Sequence, residues 1–341
     1  MVEPPCSSSL ADPAPQSSSE RKDSENLKMA QVECEPVSHA VIGRMFGRCC
    51  LELSCVTISL QIIAFKRNAG MSKLLLNLDA PKSPQIIGMV HLRPLPGTPQ
   101  FDSDFQAVID SAVTDAIALA AGGVDAVMIE NFGDVPFYPG RVPAITVAAM
   151  SVAVRQIRLA IDVPLGVNVL RNDGESALAV AVATGASFIR VNVLTGARVT
   201  DQGLIQGIAH DLLRLRLELR ANEIQILADV DVKHSAALAV RPFQDELADL
   251  MHRGGADAVI VSGSGTGSET SPQQISDALQ IADGLPILVG SGVTMESLST
   301  MPSGISGFIV GTSFKHEGHV HQPVDQERVA SFVRATRERW S

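Results

Sequence analysis

What most constrains the fold of this chain is a pattern repeated eight times between Gln85 and Trp340: a short apolar segment followed by a stretch with helical spacing. The segments are IIGMVHL (86–92), AVMIEN (126–131), LGVNVL (165–170), FIRVNVL (188–194), IQILADV (224–230), AVIVSG (258–263), PILVGSG (286–292) and GFIVGT (307–312). Each has the length of a strand. Between them, stretches such as SDFQAVIDSAVTDAIALAAGG and ISDALQIADG bring apolar residues back every three to four positions. Strands alternating with helices imply a parallel sheet, because a parallel pair needs a long crossover connection. Eight such units in about 250 residues imply an α/β fold closed as a (β/α)8, or TIM, barrel. A weak internal repeat agrees: GGVDAVMIEN, TGASFIRVNV and RGGADAVIVSG each carry a glycine turn, a small residue and then a strand. An open doubly wound sheet would announce itself by a different phosphate loop. No G-x-G-x-x-G follows the first strand, no G-x-x-x-x-G-K-[ST] occurs, and GSGTGS (263–268) has its glycines at other offsets.

Hydrophobic residues make up 45% of the chain, charged residues 19% and aromatics only 4%. The core is therefore expected to be built from Val, Ile, Leu and Ala, which suits strands covered on both faces. With 27 basic against 37 acidic residues the formal net charge is −10, which argues against nucleic acid as a partner. The five cysteines (Cys6, Cys34, Cys49, Cys50, Cys55) all precede residue 56, so the barrel has neither a disulfide framework nor a thiolate metal site. A reducing compartment is the simple reading.

Residues 1–84 read as an N-terminal extension, largely disordered, ahead of a barrel domain over 85–341. The Ser-, Pro- and Glu-rich opening, SSSLADPAPQSSSERKDSEN, lacks the apolar area that would offset its ordering entropy. MFGRCCLELSCVTISLQIIAFKR (45–67) is more apolar, but Glu52 and Gln61 interrupt it, so no integral membrane segment is expected. Glu3 and Asp12 precede any base, unlike a secretory or mitochondrial leader, and point to the cytoplasm. Translation from Met45 would instead expose Arg48, Lys66 and Arg67 with one acid, a weakly transit-like start that makes mitochondria the alternative; Met71 is a further start.

GMVHLRPLPGTP (88–99), GGVDAVMIENFGDVPF (122–137), PLGVNVLRND (164–173), FIRVNVLTGARVTDQGLIQG (188–207), LADVDVKH (227–234) and LVGSGVT (288–294) together resemble the BtpA/SgcQ family. The resemblance covers 85–330 and leaves the first 80 residues outside. It implies a barrel similar to the ribulose-phosphate-binding type. Some bacterial members are associated with biogenesis of photosystem I and others look like sugar-metabolism proteins, so the resemblance brings no settled chemical activity.

In a barrel of this kind reacting groups sit on the C-terminal ends of strands and in the loops that follow. Polar residues crowd there: His91 and Arg93; Glu130, Asn131 and Asp134; Asn168, Arg171, Asn172 and Asp173; Arg190 and Asn192; Asp229, Asp231, Lys233 and His234; Ser262. Asn168 and Asn192 suit either substrate binding or the filling of a polar layer. Arg190, within FIRVNV, cannot lose its charge and must find a carboxylate or a phosphate, with Glu130 or Asp229 as structural partners. Asp229 and Asp231 fall on one side of a continuing strand, where they could hold a divalent cation such as Mg²⁺ or supply a general base. Lys233 is compatible with a Schiff-base nucleophile, a phosphate contact or a solvated loop charge. His91, which closes a strand, has a better claim to acid/base work than His234.

VGSGVT (289–294) and VGTSFK (310–315) end the last two strands in glycine-rich loops. Backbone N–H groups around Gly290, Ser291, Gly292, Gly311 and Thr312 would form a phosphate site there, in the usual place after strands seven and eight. Thr294 could instead cap the following helix. The histidines of KHEGHVH (315–321) have no helical ligand spacing and read as an exposed loop, and no metal site is assigned. The long loop NFGDVPFYPGRVP (131–143) reads as a lid or as a rigid proline loop.

These readings converge on an enzyme of lyase, isomerase or glycosyl-transfer type acting on a small phosphorylated or sugar-like metabolite. Glu130 or Asp229 would be the base, His91 the acid and Arg190 the electrostatic stabiliser, with the cofactor and oligomeric state open, a homo-oligomer included. The alternative is a non-catalytic scaffold that assists assembly of a membrane complex.

Overall fold

The computed structural model describes residues 76–78, 82–239, 241–263 and 270–341, all within the unit Arg67–Ser341. The expectations for residues 1–75, and those for the glycine-rich stretch after Gly263, lie outside the described residues.

Eight parallel strands close into a ring. They are β1 (Gln85–His91), β2 (Ala126–Glu130), β3 (Leu165–Asn168), β4 (Phe188–Val191), β7 (Gln225–Asp229), β9 (Ala258–Ser262), β10 (Ile287–Gly290) and β11 (Gly307–Val310), the last pairing back onto β1. Helices α1 (Phe105–Ala121), α2 (Ala144–Ala160), α3 (Gly174–Thr184), α4 (Ala209–Glu218), α5 (Phe243–His252), α6 (Pro272–Ile281), α7 (Met295–Leu298) and α8 (Gln326–Arg339) make the crossovers and close the outer layer. Every strand read from the sequence is present. In each, the apolar segment runs one to three residues past the C-terminal end of the strand. The cause is visible in Val169, Leu170, Val193 and Leu194, which stay buried after the backbone has left the sheet, so the apolar pattern outlasts the pairing.

One element escaped the sequence reading. Strands β5 (Ala197–Thr200), β6 (Gly203–Gln206) and β8 (Ser235–Ala237) form a separate antiparallel sheet, ordered β6-β5-β8, from the loops that follow β4 and β7. The hairpin turns at Asp201–Gln202, where the Gln202 N–H donates to Thr200 Oγ1 at 3.1 Å and Gly203 takes φ +93°. Its strands are too short for their alternation to stand out beside the barrel strands.

The alternation of strand side chains sorts the barrel interior into layers. Met89, Met128, Phe188, Leu227, Ile260 and Leu288 belong to one apolar interior cluster, which Leu76 and Leu78 join from ahead of Gln85. Phe188 occupies so much of this space that a Cβ on Gly166 would lie 2.0 Å from its ring. One step further up each strand the inward position is His91, Glu130, Asn168, Arg190, Asp229, Ser262, Gly290 or Gly311. The registers His91↔Glu130, Glu130↔Asn168, Asn168↔Arg190 and Gly290↔Ser262 run along this rim.

Two of the three copies of the internal repeat have a structural cause. Asp125 and Asp257 sit just before β2 and β9, and their carboxylates accept the N–H of the second residue of the preceding barrel strand, from Ile86 and from Ile226, both at 2.7 Å. Arg337 of α8 donates to Asp125 and Arg216 of α4 to Asp257 at 2.6 Å, so the same aspartates tie helices to the bottom of the barrel. Among the described residues no helix is long and apolar enough to cross a membrane.

Candidate functional site

The mouth of the barrel opens into a cleft of about 670 Å³. His91, Glu130, Arg190 and Lys233 line one wall, and the loops 291–294 and 311–313 together with Arg328 line the other. Thus the last two glycine-rich loops face the same space as the polar ends of β1, β2 and β4.

Asp229 is the hub beneath this wall. Its carboxylate accepts two bonds from Arg190, Nε at 2.9 Å and Nη2 at 2.8 Å, and a third from Ser262 Oγ at 2.9 Å. Burial works against the Arg190 charge, but Asp229 and then Glu130 more than offset it, and the guanidinium is held above its ordinary range. Asp229 is therefore fully engaged. Asn168 sits beside the pair and donates to the Arg190 carbonyl at 3.0 Å and to Asn192 Oδ1 at 3.1 Å, while its own Oδ1 is buried with no partner among the described residues.

Glu130 contrasts with Asp229. It is 3% exposed, lies 4.0 Å from His91 Nε2, and accepts no hydrogen bond among the described residues. The His91 ring stacks on Phe132 with centroids 4.6 Å apart, and among the described residues its buried Nδ1 has no partner. Burial, followed by the nearby cations Lys315, Lys233 and Arg190, pushes His91 well below the usual imidazole range, so it is neutral at pH 7. Gly311 makes room for it: a Cβ there would stand 2.9 Å from His91 Cε1.

Lys233 also feels burial first; Arg190 and Arg171 add to it, Glu130 and Asp229 oppose it, and the net effect is a lowered pKa. Asp231, two residues earlier, does not face the cleft. It pairs with Arg198 of β5, which also reaches Glu246 of α5 at 3.5 Å. The chain leaves the sheet after Asp229, so the expectation that Asp229 and Asp231 share one side does not apply, and no carboxylate pair forms there. Asn192 borders a second, smaller space lined also by Arg198 and Glu246, and it donates to Asp229 Oδ2 at 3.4 Å. No group of three or more His, Cys, Asp or Glu poised to hold a metal occurs among the described residues.

In the phosphate-type loops Ser291 and Gly292 take consecutive positive φ of 76° and 66°, a left-handed turn that favours glycine at the second position. Thr294 does cap: its Oγ1 accepts from the Ser297 N–H at 3.2 Å at the start of α7, and it still borders the cleft. The 131–143 loop is pinned at several points. Asn131 Oδ1 accepts from Leu170 N at 2.7 Å, Asp134 Oδ1 from Leu95 N at 2.9 Å, and Asp173 Oδ2 from Val142 N at 2.7 Å.

Two site-supporting residues were not singled out from the sequence. Lys315 is buried, 2.5 Å from Asp115 of α1, and Asp115 also accepts the Val324 N–H at 2.8 Å, so the strap carrying Thr312 and Ser313 is anchored to a helix 200 residues away in the chain. Arg328, from the first turn of α8, donates to the Ser313 carbonyl at 2.9 Å and puts its charge at the cleft. No local pattern marks either one.

A sequence model described as the BtpA family matches residues 82–338. A protein of Thermococcus kodakarensis is 46% identical over 261 residues, which is 76% of this chain and 98% of that one. The photosystem I biogenesis protein BtpA of Synechocystis sp. is 44% identical over 253 residues, 74% of this chain and 88% of that one. Among solved structures, KGPDC from Streptococcus mutans superposes with a TM-score of 0.49 at 12% identity, over 76% of this chain and all of that one.

Proposed function

This chain belongs to the BtpA family, and we propose that it is an enzyme acting on a small phosphorylated, sugar-like metabolite at the C-terminal mouth of its barrel. One observation supports the reading: a single cleft brings the 291–294 and 311–313 loops and Arg328 together with Glu130, His91, Arg190 and Lys233. In the first group, the left-handed turn at Ser291–Gly292, the Gly311–Thr312 loop and Arg328 offer backbone N–H groups, a hydroxyl and a guanidinium to a phosphate. In the second, Glu130 is a carboxylate with its oxygens uncommitted, and a neutral His91 can accept a proton or donate a hydrogen bond. Asp229, fully engaged by Arg190 and Ser262, orients the guanidinium, which leaves Glu130 as the base.

Thermal denaturation with inorganic phosphate, ribose 5-phosphate and glyceraldehyde 3-phosphate, each with and without Mg²⁺, tests the reading. A ligand at a hundredfold excess over Kd stabilises by about 2.7 kcal/mol, roughly 5–10 °C for a domain of this size. Gly292→Asp, which puts a side chain and a negative charge into the left-handed turn, should abolish the shift. Absence of stabilisation by every phosphate compound would sink the proposal.

The Synechocystis relative's name favours a second reading, a factor that assists assembly of a membrane complex. Complementation separates the two. If folded Glu130→Gln and Gly292→Asp variants both restore function fully, assembly stands and catalysis falls.

A further inference from the structure

We propose that Lys233 is the nucleophile of this cleft and condenses with the carbonyl carbon of a phosphorylated aldehyde or ketone to form a Schiff base. This deepens the reading above and rests on it for the anionic end of the substrate.

The composition of the barrel domain already sets this residue apart. From residue 82 onward the sequence has three lysines, Lys82, Lys233 and Lys315, against sixteen arginines. Arginine meets nearly every need for positive charge, in the pairs with Asp125, Asp229 and Asp257 among others. Lys82 is exposed, and Lys315 is locked into its buried pair with Asp115. Among the described residues Lys233 is thus the one lysine at the cleft. An arginine there would serve as well for charge, but a guanidinium does not give up its proton and cannot attack a carbonyl, whereas a lysine amine can.

The backbone fixes where this amine starts. Arg171 donates to the Lys233 carbonyl at 2.5 Å, Val232 is buried, and Ser235 Oγ donates to the Val232 carbonyl at 2.5 Å. Ser235 then enters β8, which pairs with Thr200 of β5. The antiparallel sheet thereby holds a loop that would otherwise be loose at the barrel mouth. From this anchored base the side chain lines the cleft beside Glu130 and Arg190, and among the described residues its amine makes neither a hydrogen bond nor an ion pair. Asp229, the other acid nearby, spends its oxygens on Arg190 and Ser262. Burial and the two guanidiniums of Arg190 and Arg171 raise the fraction of unprotonated amine, as a nucleophile requires.

The step balances with one proton taken from solvent. The amine lone pair forms the C–N bond as the carbonyl π pair moves to oxygen, which takes that proton from water at the open cleft. The nitrogen then loses a proton to Glu130. The carbinolamine hydroxyl leaves as water with a proton returned from the Glu130–His91 pair, and the nitrogen lone pair closes the C=N bond. One carbonyl, one amine and one proton give one iminium and one water, with no change of oxidation state. The iminium is the electron sink that a lyase or isomerase on a sugar phosphate needs.

Incubation of the full chain with sodium cyanoborohydride and either dihydroxyacetone phosphate or pyridoxal 5′-phosphate, followed by peptide mass mapping, tests the inference. Dihydroxyacetone and pyridoxal serve as the phosphate-free controls. The expected result is a reduced adduct on Lys233, at least tenfold above Lys82, lost in Lys233→Arg and at least tenfold weaker with the phosphate-free probes. Lys233→Arg keeps the charge, and its fold is checked by circular dichroism. Absence of label on Lys233 overturns the inference. If the phosphates still stabilise the protein, the phosphorylated-substrate reading survives that loss; if they do not, both fall. Equal labelling by phosphorylated and phosphate-free probes would keep the nucleophile and overturn the phosphorylated class of its substrate.

Discussion

Arg190 and Asp229 stand on the neighbouring strands β4 and β7 and grip each other through two parallel hydrogen bonds of 2.9 and 2.8 Å, both side chains buried in the mouth of the barrel. Two ions taken out of water in this way hold each other's charge in place. Arg190 also helps to lower the pKa of His91, and both ions act on Lys233.

Asp229→Ala leaves the Arg190 charge buried without its partner and should lower stability by about 3–5 kcal/mol. The double variant Arg190→Met/Asp229→Leu, which removes both ions, should recover most of that loss. Urea denaturation of the three proteins reads the difference. A cost below about 1 kcal/mol for Asp229→Ala would show that the pair does not organise the mouth.

His91 makes a pH prediction. Its folded-state pKa is lowered by burial and nearby cations, so below the ordinary value of 6.5 the unfolded chain binds the proton more readily than the folded one. Its contribution should therefore be fully present above pH 6.5 and shrink as the pH falls below it. His91→Gln should flatten the slope between pH 5 and 7 in chemical denaturation. An unchanged slope would place the neutral imidazole in doubt.

The strap behind Thr312 depends on Asp115. That carboxylate serves both the Lys315 ammonium and the Val324 N–H, so Asp115→Ala should cost more than Lys315→Met, the former about 3–5 kcal/mol. Hydrogen exchange should show residues 312–325 losing protection in Asp115→Ala. Equal protection in the variant and the parent would refute the anchoring role.

Gly311→Ala probes the cleft sterically. The added Cβ would lie 2.9 Å from His91 Cε1 and 3.3 Å from Nε2, with Met89 behind it. Overpacking of this kind costs about 1–3 kcal/mol, and here it should displace the imidazole from its stack on Phe132. A shift of the His91 ring resonances by NMR would report that displacement; unmoved resonances would count against it.

The order of the eight strands, their starting points to within one residue and the residues at the rim were legible in the sequence, because each rests on a local rule. Burial of alternate side chains writes a period of two, and it placed His91, Glu130, Asn168, Arg190 and Asp229 at the barrel mouth. The apolar pattern could not say where pairing stops, since Val193 and Leu194 stay buried past the end of β4, Val193 in a cluster with Ile205 and Val232. Nor could the sequence show which charges neutralise one another. Asp229, Asp231 and Glu130 read alike as carboxylates at strand ends. Closure of the ring gave Asp229 to Arg190, the small antiparallel sheet gave Asp231 to Arg198, and Glu130 was left beside His91. Coulomb energy depends on distance across the barrel mouth rather than along the chain, so these assignments, like the pairing of Lys315 with Asp115, belong to the tertiary structure alone.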